Sequence, residues 1–299
     1  MVVARMPPGL AGRARRPRTA GWRRRLQVSL LTILRRGGIP HGVRTFALVD
    51  RPELTFVTAQ SLVLEQLYWL GEEGWEPEVL PWWRRACARS GVIVELGANV
   101  GYFTVQGALA APQARYTAVE PHPASVAICR SNLALNGVTN VDVVAAAAVS
   151  DPMVDWVQIL VPASQLAAPT VAFIGGGGEL PADMRRGRVE AVDVAAVDVR
   201  SLVRGADLLK LDVEGQEHAL LAAARDELLA SRPTLFVELL AGTPALRAVL
   251  RDLCHGAGYR CYAPTKTRLV GISSDRIATV NVQAEFATND VILAPGPLE

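Results

Sequence analysis

Short apolar segments alternate with longer amphipathic ones over the last two thirds of the chain. From Val92 onward, runs rich in β-branched residues are separated by stretches whose apolar residues recur every three or four positions. This alternation is typical of parallel strands joined by crossover helices. The predicted strands are Val92–Leu96, Tyr116–Val119, Val141–Ala145, Leu208–Leu211, Leu235–Leu239, Tyr259–Tyr262 and Asp290–Leu293. The predicted helices between them are Tyr102–Ala111, Pro123–Asn136, Gln216–Leu229 and Pro244–Ala257. We therefore predict an α/β fold with one doubly wound, seven-stranded sheet.

Two further regions surround this pattern. Residues 26–90 form a predicted N-terminal helical region, because Ser61–Leu70 and Pro77–Ser90 carry apolar residues at helical spacing. The main domain spans residues 91–299 and contains a small β-insertion at about 155–200. Its glycine run, Gly175–Gly178, predicts a flexible turn, since no Lys-Ser/Thr pair follows it as in a phosphate-binding loop.

The charge of the chain is unevenly distributed. Eleven arginines precede the first acidic residue, Asp50, so the formal net charge of +2 leaves −9 for the rest of the chain. Residues 1–25 are rich in Arg, Gly and Pro and predict a disordered tail. An acidic body leaves only this tail as a nucleic-acid-binding face, and we expect no nucleic-acid partner.

The apolar run Leu26–Leu34 raises the question of export or membrane contact. Basic residues precede it as in a signal peptide, but "RRGG" follows where small cleavage-site residues are needed. An amphipathic helix over Leu26–Arg36 with weak peripheral membrane contact stays an alternative. No apolar run approaches the roughly 18 residues of a membrane span, so we expect no integral membrane segment.

Cysteine usage indicates a reducing compartment. The four cysteines form no CxxC pair, and the four histidines show no ligand spacing with them, which argues against structural zinc. We expect free thiols and a cytoplasmic protein. Arginine greatly outnumbers lysine, a composition that hints at a GC-rich bacterial genome.

The segment "ELGANVG", Glu95 to Gly101, is the first strand-loop-helix unit and so the predicted ligand site of the sheet. A dinucleotide fingerprint needs a glycine where this chain has Asn99, so that a pyrophosphate can approach the backbone. The carboxylate of Glu95 would repel a pyrophosphate and attract an ammonium group. S-adenosylmethionine (SAM) has an ammonium, a sulfonium and no phosphate, and it fits this loop.

The next strand ends at Glu120 in "YTAVEPHP", where a carboxylate accepts ribose hydroxyls. Nucleotide-dependent oxidoreductases use the same device, so an NAD-dependent enzyme stays an alternative that Glu95 and Asn99 disfavour. His122 follows as a residue that covers the adenine or caps the next helix. The predicted cofactor-binding residues are Glu95, Gly97, Ala98, Asn99, Gly101, Tyr102, Glu120 and Pro121.

These motifs resemble those of the FkbM-type SAM-dependent methyltransferases. The resemblance covers roughly Gly74 to Pro295, and its most specific part combines the first loop with "KLDVEGQE". One departure is Glu95, where the family more often has Asp. The matching segments are "GWEPEVL", "VIVELGANVGYFT", "AVEPHP", "SNLALNG", "LLKLDVEGQE" and "PTLFVEL". The resemblance implies a class I (Rossmann-like) methyltransferase fold and O-methylation of a hydroxyl on a sugar, lipid or secondary metabolite.

The predicted catalytic residues lie in the segment after the fourth strand. They are Asp212, Glu214 and His218. Asp212 is the first candidate to orient the acceptor or remove its proton, and His218 the second, since imidazole titrates near neutrality. Glu217 and His218 also fit a helix-start carboxylate and its solvated neighbour. Glu238 fits either an acceptor-binding residue or a strand-end carboxylate. Oxygen ligands for a divalent metal exist here, but no spacing requires one, and we predict none.

Two points stay open at this level. A non-catalytic SAM-binding or scaffold protein is the main alternative to an enzyme, because such folds can lose their acceptor chemistry. The acceptor pocket is expected to come from Trp75, Trp82, Trp83 and the Trp156–Arg188 region, although tryptophans at helical spacing also fill cores.

Overall fold

The computed structural model describes residues 38–40, 42–163, 169, 173–174, 188–296 and 298. Within the chain, residues Met1–Pro77 and Glu78–Glu299 form two compact units. The predictions for the tail at 1–25, for a helix at Leu26–Arg36 and for the turn at Gly175–Gly178 lie outside the described residues.

The described part of the first unit is a short hairpin with one α-helix and a 3₁₀ helix at Gly71–Gly74. Its elements are β1 (Thr45–Ala47), β2 (Thr55–Val57) and α1 (Leu62–Leu70). Phe46 and Phe56 are paired across the antiparallel hairpin, and the ring of Phe46 meets Tyr68 of α1 edge-on at 5.4 Å. The side chain of Ser61 accepts a hydrogen bond from the Leu64 amide and caps α1. The helix predicted at 61–70 is confirmed, whereas the hairpin is an addition to the predicted helical region.

The second unit contains the remaining elements. Its helices are α2 (Leu80–Cys87), α3 (Tyr102–Ala110), α4 (Pro123–Leu135), α5 (Val199–Val203), α6 (Glu217–Ala223), α7 (Arg225–Ser231), α8 (Pro244–Gly256), α9 (Ser274–Ile277) and α10 (Val282–Phe286). Its strands are β3 (Val92–Leu96), β4 (Arg115–Val119), β5 (Val141–Val144), β6 (Ala147–Val149), β7 (Trp156–Pro162), β8 (Phe173–Ile174), β9 (Val189–Asp198), β10 (Leu208–Leu211), β11 (Thr234–Glu238), β12 (Arg260–Pro264), β13 (Leu269–Ile272) and β14 (Asp290–Ala294).

The central sheet of the described chain has the strand order β13-β12-β14-β11-β10-β3-β4-β5. Strands β3, β4, β5, β10 and β11 run parallel, and β14 is antiparallel to β11. The order reverses direction beside β3, so the crevice at the carboxyl end of β3 is a topological switch point. All seven predicted strands are present within two residues of their predicted bounds. The sheet gains β13, which the sequence analysis missed.

The helices predicted between the strands are present, one of them in two pieces, and α5, α9 and α10 are additions to the prediction. The segment predicted as a single helix at 216–229 is divided into α6 and α7, because Ala224 leaves the helical conformation with ψ +16°. The region predicted as a β-insertion at about 155–200 contains β7, β8 and β9, which form a separate sheet with the order β6-β9-β7-β8 together with β6, a strand before the predicted bounds. The predicted region 26–90 does not form one structural piece, since α2 belongs to the second unit and the elements before residue 78 to the first.

The two faces of the central sheet differ in character. One face is apolar and includes Leu96, Leu209 and Val237, which pack in a cluster with residues of α5, α6 and α8. The other face carries Glu95 and Lys210, which are neighbours in register on β3 and β10. This second face therefore holds charge inside the fold, and those charges need partners there.

Aromatic residues cover the charged face beside β3. The indole of Trp83 on α2 meets the rings of Phe103, Tyr116 and Phe236 in edge-on arrangements, and its Nε1 donates to the Phe103 carbonyl at 3.0 Å. Trp83 is fully buried, so at this position the core interpretation of the tryptophan is confirmed. Of the other tryptophans proposed for the acceptor pocket, Trp156 is 68% exposed on β7.

Among the described residues, no helix combines the length and the apolar character needed to cross a membrane.

Gly107 on α3 lies where Trp83 and Cys87 leave no space for a side chain. A Cβ atom there would lie 2.7 Å from Trp83 Nε1 and 2.9 Å from Cys87 Sγ. We expect Gly107→Ala to lower the free energy of unfolding by about 2 kcal/mol, because a packed core resists added volume. Urea denaturation measures the change. Gly256→Ala is the matched control, since no atom lies within 4 Å of its added Cβ, and it should raise stability by about 0.5 kcal/mol. Equal effects of the two substitutions would contradict this description of the core.

Candidate active site

The loop after β3 is fixed against two neighbouring strand ends. The amides of Gly97 and Ala98 both donate to the Val119 carbonyl, at 2.9 and 3.0 Å. Gly97 has a φ of +87°, and a Cβ there would lie 1.8 Å from the carbonyl oxygen of Asp212. Only glycine fits this position. The predicted cofactor loop and the predicted catalytic segment are therefore in direct backbone contact.

Asn99 and Gly101 form the turn that leads into α3. Both have left-handed backbones, with φ of +49° and +79°. A Cβ on Gly101 would meet Cys129 Sγ at 2.6 Å, so the turn lies tightly against α4. Asn99 tolerates its conformation better than most residues, and its Nδ2 donates to the Pro169 carbonyl at 2.8 Å. The adjoining Ala98 and Tyr102 are buried.

Glu120 connects this turn to the next strand. Its Oε2 accepts from the Asn99 amide and its Oε1 from the His122 amide, both at 2.8 Å. Burial raises the pKa of Glu120 to about 7, and the two amides oppose the shift. Pro121 follows in a half-buried position. The side chain of His122 does not cap α4, so that alternative is not observed.

Glu95 lies inside the fold and only 1% exposed. Its Oε2 accepts from the hydroxyls of Thr104 at 2.8 Å and Tyr116 at 2.5 Å. Burial raises the pKa of Glu95 to about 7, against the charge of Lys210, which favours the ionised form. Glu95 thus lies on β3 just before the loop and connects this strand to α3 through Thr104 and to β4 through Tyr116.

The predicted catalytic residues differ in their surroundings. Asp212 follows β10 and is 27% exposed, and its Oδ2 forms an ion pair with Lys210 Nζ at 2.9 Å. Glu214 follows with a left-handed φ of +53°, a strained conformation for glutamate. His218 is an exposed residue in the first turn of α6. Asp212 is therefore the member of this set that the backbone contact brings to the cofactor loop.

Glu217 behaves as the helix-start alternative describes. It is the first residue of α6, is buried, and accepts from the amides of Val213 at 3.0 Å and Gly215 at 3.2 Å. These bonds close the turn that contains Glu214 and Gly215. Its role in the described structure is to hold that turn.

Asp212 is the electrostatic centre of this rim. Burial raises the pKa of five neighbouring carboxyl groups, and the charge of Asp212 raises each of them further. These groups are Glu95, Glu120, Glu217, Glu238 and Asp290. Glu238 ends β11 opposite Asp290, and its Oε2 is buried without a hydrogen-bond partner in the described chain. The site is strongly acidic.

Sequence reasoning missed two residues of this rim, Lys210 and Asp290. Lys210 is 2% exposed and Asp290 is buried on the antiparallel strand β14. The available signal was a lysine between two leucines in a predicted buried strand. Among the described residues, no group of three or more His, Cys, Asp or Glu could hold a metal ion.

A family model described as the methyltransferase FkbM domain matches residues 95–261, more than half of the chain. The chain belongs to the FkbM methyltransferase family. The FkbM match begins at Glu95 and extends beyond Glu238, so it contains every predicted cofactor-binding and catalytic residue. The predicted class I methyltransferase fold is confirmed by this match together with the strand order.

Solved structures of methyltransferases are similar to this FkbM chain at low identity. The FkbM methyltransferase from Methylobacillus flagellatus KT is 14% identical, with 79% of this chain and 55% of that chain covered and a TM-score of 0.40. Cofactor-bound Rv0187 from MTB is 14% identical over 73% of this chain and 78% of that one, with a TM-score of 0.39. The O-methyltransferase TomG from Streptomyces achromogenes, in complex with SAM, is 14% identical over 73% and 78%, with a TM-score of 0.38. No curated protein matches the chain.

The buried carboxyl group of Glu95 makes the stability of this FkbM protein depend on pH. Because the pKa of Glu95 is higher in the folded state than in the unfolded state, the protonated carboxyl group stabilises the fold. This stabilisation is complete below the unfolded-state pKa and is lost as the pH rises through about 7. Glu95→Gln keeps the acceptor oxygen and removes the titration. We expect the stability of the variant relative to wild type to increase by about 2 kcal/mol between pH 5 and 8.

Urea denaturation at several pH values measures this difference. Asp142→Asn, at an exposed carboxylate of β5, controls for the simple loss of a negative charge and should show no such trend. Parallel stability curves for wild type and Glu95→Gln would show that the Glu95 carboxyl titrates equally in both states.

Proposed function

We propose that this methyltransferase transfers the methyl group of SAM to a hydroxyl oxygen of a small-molecule acceptor, a sugar, lipid or secondary metabolite. Membership of the FkbM methyltransferase family supports methyl transfer as the reaction. The observation that carries the rest is the contact of Gly97 with the Asp212 carbonyl, because it sets a carboxylate beside the cofactor loop. A hydroxyl acceptor needs such a group, since a protonated hydroxyl is a weak nucleophile.

The residues of the rim fit SAM. Its ammonium and sulfonium are cations, and the rim carries the carboxyl groups of Glu120 and Asp212, with the buried carboxyl group of Glu95 beneath the loop. The loop has Asn99 at the position where a pyrophosphate-binding loop has a glycine. His122 Nδ1 and Ser125 Oγ, just after Glu120, are buried and without hydrogen-bond partners in the described chain, which leaves polar groups for a purine.

Roles in cofactor and acceptor binding follow for Glu120, for the loop after β3 and for Asp212. Glu120 would accept the ribose hydroxyls with the lone pairs that its two amide donors leave over. The loop from Gly97 to Tyr102 would hold the amino-acid portion. When bound, SAM supplies the electrophilic methyl group. Asp212 would accept a hydrogen bond from the acceptor hydroxyl and align its oxygen, and positioning of this kind lowers a barrier by several kcal/mol.

Glu214 and His218 are secondary in this scheme. The strained backbone of Glu214 directs the turn beside Asp212, and strain of about 1 to 3 kcal/mol persists where a site requires the conformation. His218 is exposed in the first turn of α6, from which it can receive a proton only at the outer side of the rim. We therefore propose Asp212, ahead of His218, as the group that accepts the proton of the acceptor hydroxyl.

Cofactor choice is tested by calorimetric titration with SAM, S-adenosylhomocysteine and NAD. We expect SAM to bind and NAD not to bind, and Glu120→Ala to weaken SAM binding by about tenfold or more, since two ribose contacts are lost. The pKa of Glu120 is about 7, so SAM affinity of the wild type should also fall about tenfold from pH 8 to pH 6 as the carboxylate is protonated.

Glu120→Gln is the matched control for this pH effect. Its SAM affinity should be lower than that of the wild type at pH 8 and should fall less than that of the wild type between pH 8 and pH 6, since the amide does not titrate whereas Glu95 still does. Tight NAD binding without SAM binding would overturn the assignment.

Acceptor chemistry is tested by release of S-adenosylhomocysteine with a panel of sugars, lipids and natural-product alcohols. With an active acceptor, Asp212→Asn should lower kcat by about a hundredfold, because it removes the general base and keeps the shape. His218→Ala should lower it less than threefold. A larger loss in His218→Ala than in Asp212→Asn would transfer the proton-accepting role to the histidine. SAM binding without transfer to any acceptor would favour the scaffold alternative.

A further inference from the structure

Lys210 is an unusual residue in this chain. Of 31 basic residues only two are lysines, Lys210 and Lys266. Lys210 stands in the central strand β10 and is 2% exposed, although lysine is among the residues least often buried. A buried ammonium is tolerated only with compensating charge and hydrogen bonds, so the surroundings of Lys210 indicate what it does.

The ammonium of Lys210 lies between an aromatic ring and several carboxyl groups. Its Nζ is 4.9 Å from the centre of the Phe103 ring and 2.9 Å from Asp212 Oδ2. Glu95 is its neighbour in register on β3, and the charge of Lys210 lowers the pKa of both Glu95 and Asp290 against the effect of burial. One cation thus compensates carboxyl groups from two strands, β3 and β14, and from the segment after β10.

The ion pair divides the two oxygens of Asp212. Oδ2 is engaged by Lys210. Within the described residues, Oδ1 makes no hydrogen bond, and the side chain is partly exposed. A carboxylate held by one oxygen has a fixed plane and presents the other oxygen in a set direction.

We propose that Lys210 is a positioning residue, which holds the Asp212 carboxylate so that its second oxygen receives the acceptor hydroxyl. This inference rests on the proposed role of Asp212 in methyl transfer. A lysine suits the position better than the arginine that this chain uses elsewhere. Its compact ammonium reaches carboxylates in several directions, whereas a guanidinium is a broad planar fork.

A double-mutant cycle tests whether Lys210 acts through Asp212. The variants are Lys210→Met, Asp212→Asn and the combination, each assayed for kcat with an active acceptor and for SAM affinity. We expect Lys210→Met to lower kcat by about tenfold or more with SAM affinity changed less than threefold. In the Asp212→Asn background the same substitution should change kcat less than twofold, because the group that it positions is already altered.

Multiplicative losses of kcat in the double variant would overturn the inference, since Lys210 would then act independently of Asp212. Lys266→Met is the matched control, because it removes the other lysine, and it should leave kcat unchanged. Equal losses of kcat in Lys210→Met and Lys266→Met would likewise contradict a positioning role.

A second measurement needs neither activity nor a Lys210 variant that folds. In protein labelled with ¹⁵N-lysine, the side chains give two signals, which Lys266→Met assigns. Asp212→Asn should shift the Lys210 signal and leave that of Lys266 in place. An unchanged Lys210 signal would show that the ion pair is absent in solution and would overturn the inference. If no acceptor is methylated, the proposed function fails separately, while this spectrum still tests the ion pair.

Discussion

The ion pair between Lys210 and Asp212 is the interaction on which the acidic rim depends. Without a buried cation, the carboxyl groups of Glu95 on β3 and Asp290 on β14 would lose the positive charge that favours their ionised forms, in a medium that solvates them poorly. Burial of so many acids against a single base keeps several of them near their neutral forms. The charge of Lys210 opposes this shift in the pKa of Glu95 and of Asp290.

The division of the sheet into two faces explains how one fold supports both a stable core and a charged site. The apolar face buries Leu96, Leu209 and Val237 against helices and contributes the bulk of the hydrophobic stabilisation. The opposite face gives up part of that stabilisation to carry ionisable groups, which the aromatic residues around Trp83 shield from water. Because the carboxyl ends of β3 and β10 are adjacent, the loop after β3 and the segment that begins with Asp212 emerge side by side.

Sequence reasoning succeeded where the information was local. Strands β3 and β10 were predicted with their observed bounds, since each is a mostly apolar run with a single charged residue, Glu95 or Lys210. The strands β1 and β2 have three residues each, too few to show a period of two. Lys210 and Asp290 were missed because their neighbours come from strands that are far apart in the chain. The register between two such strands cannot be predicted from the sequence of either strand alone. The position of Glu95 inside the sheet, hydrogen-bonded to Tyr116, depends on the same pairing.

The hydrogen bond from Asn99 to the carbonyl of Pro169 joins the cofactor loop to the insertion between the third and fourth strands of the parallel series. Its acceptor is a backbone atom, which any residue type supplies. At residue 169 this contact therefore constrains the path of the chain and not the type of side chain. In a chimaera with the insertion of a homologous protein, the Asn99 turn should keep its contact only where the new segment returns a carbonyl to Asn99.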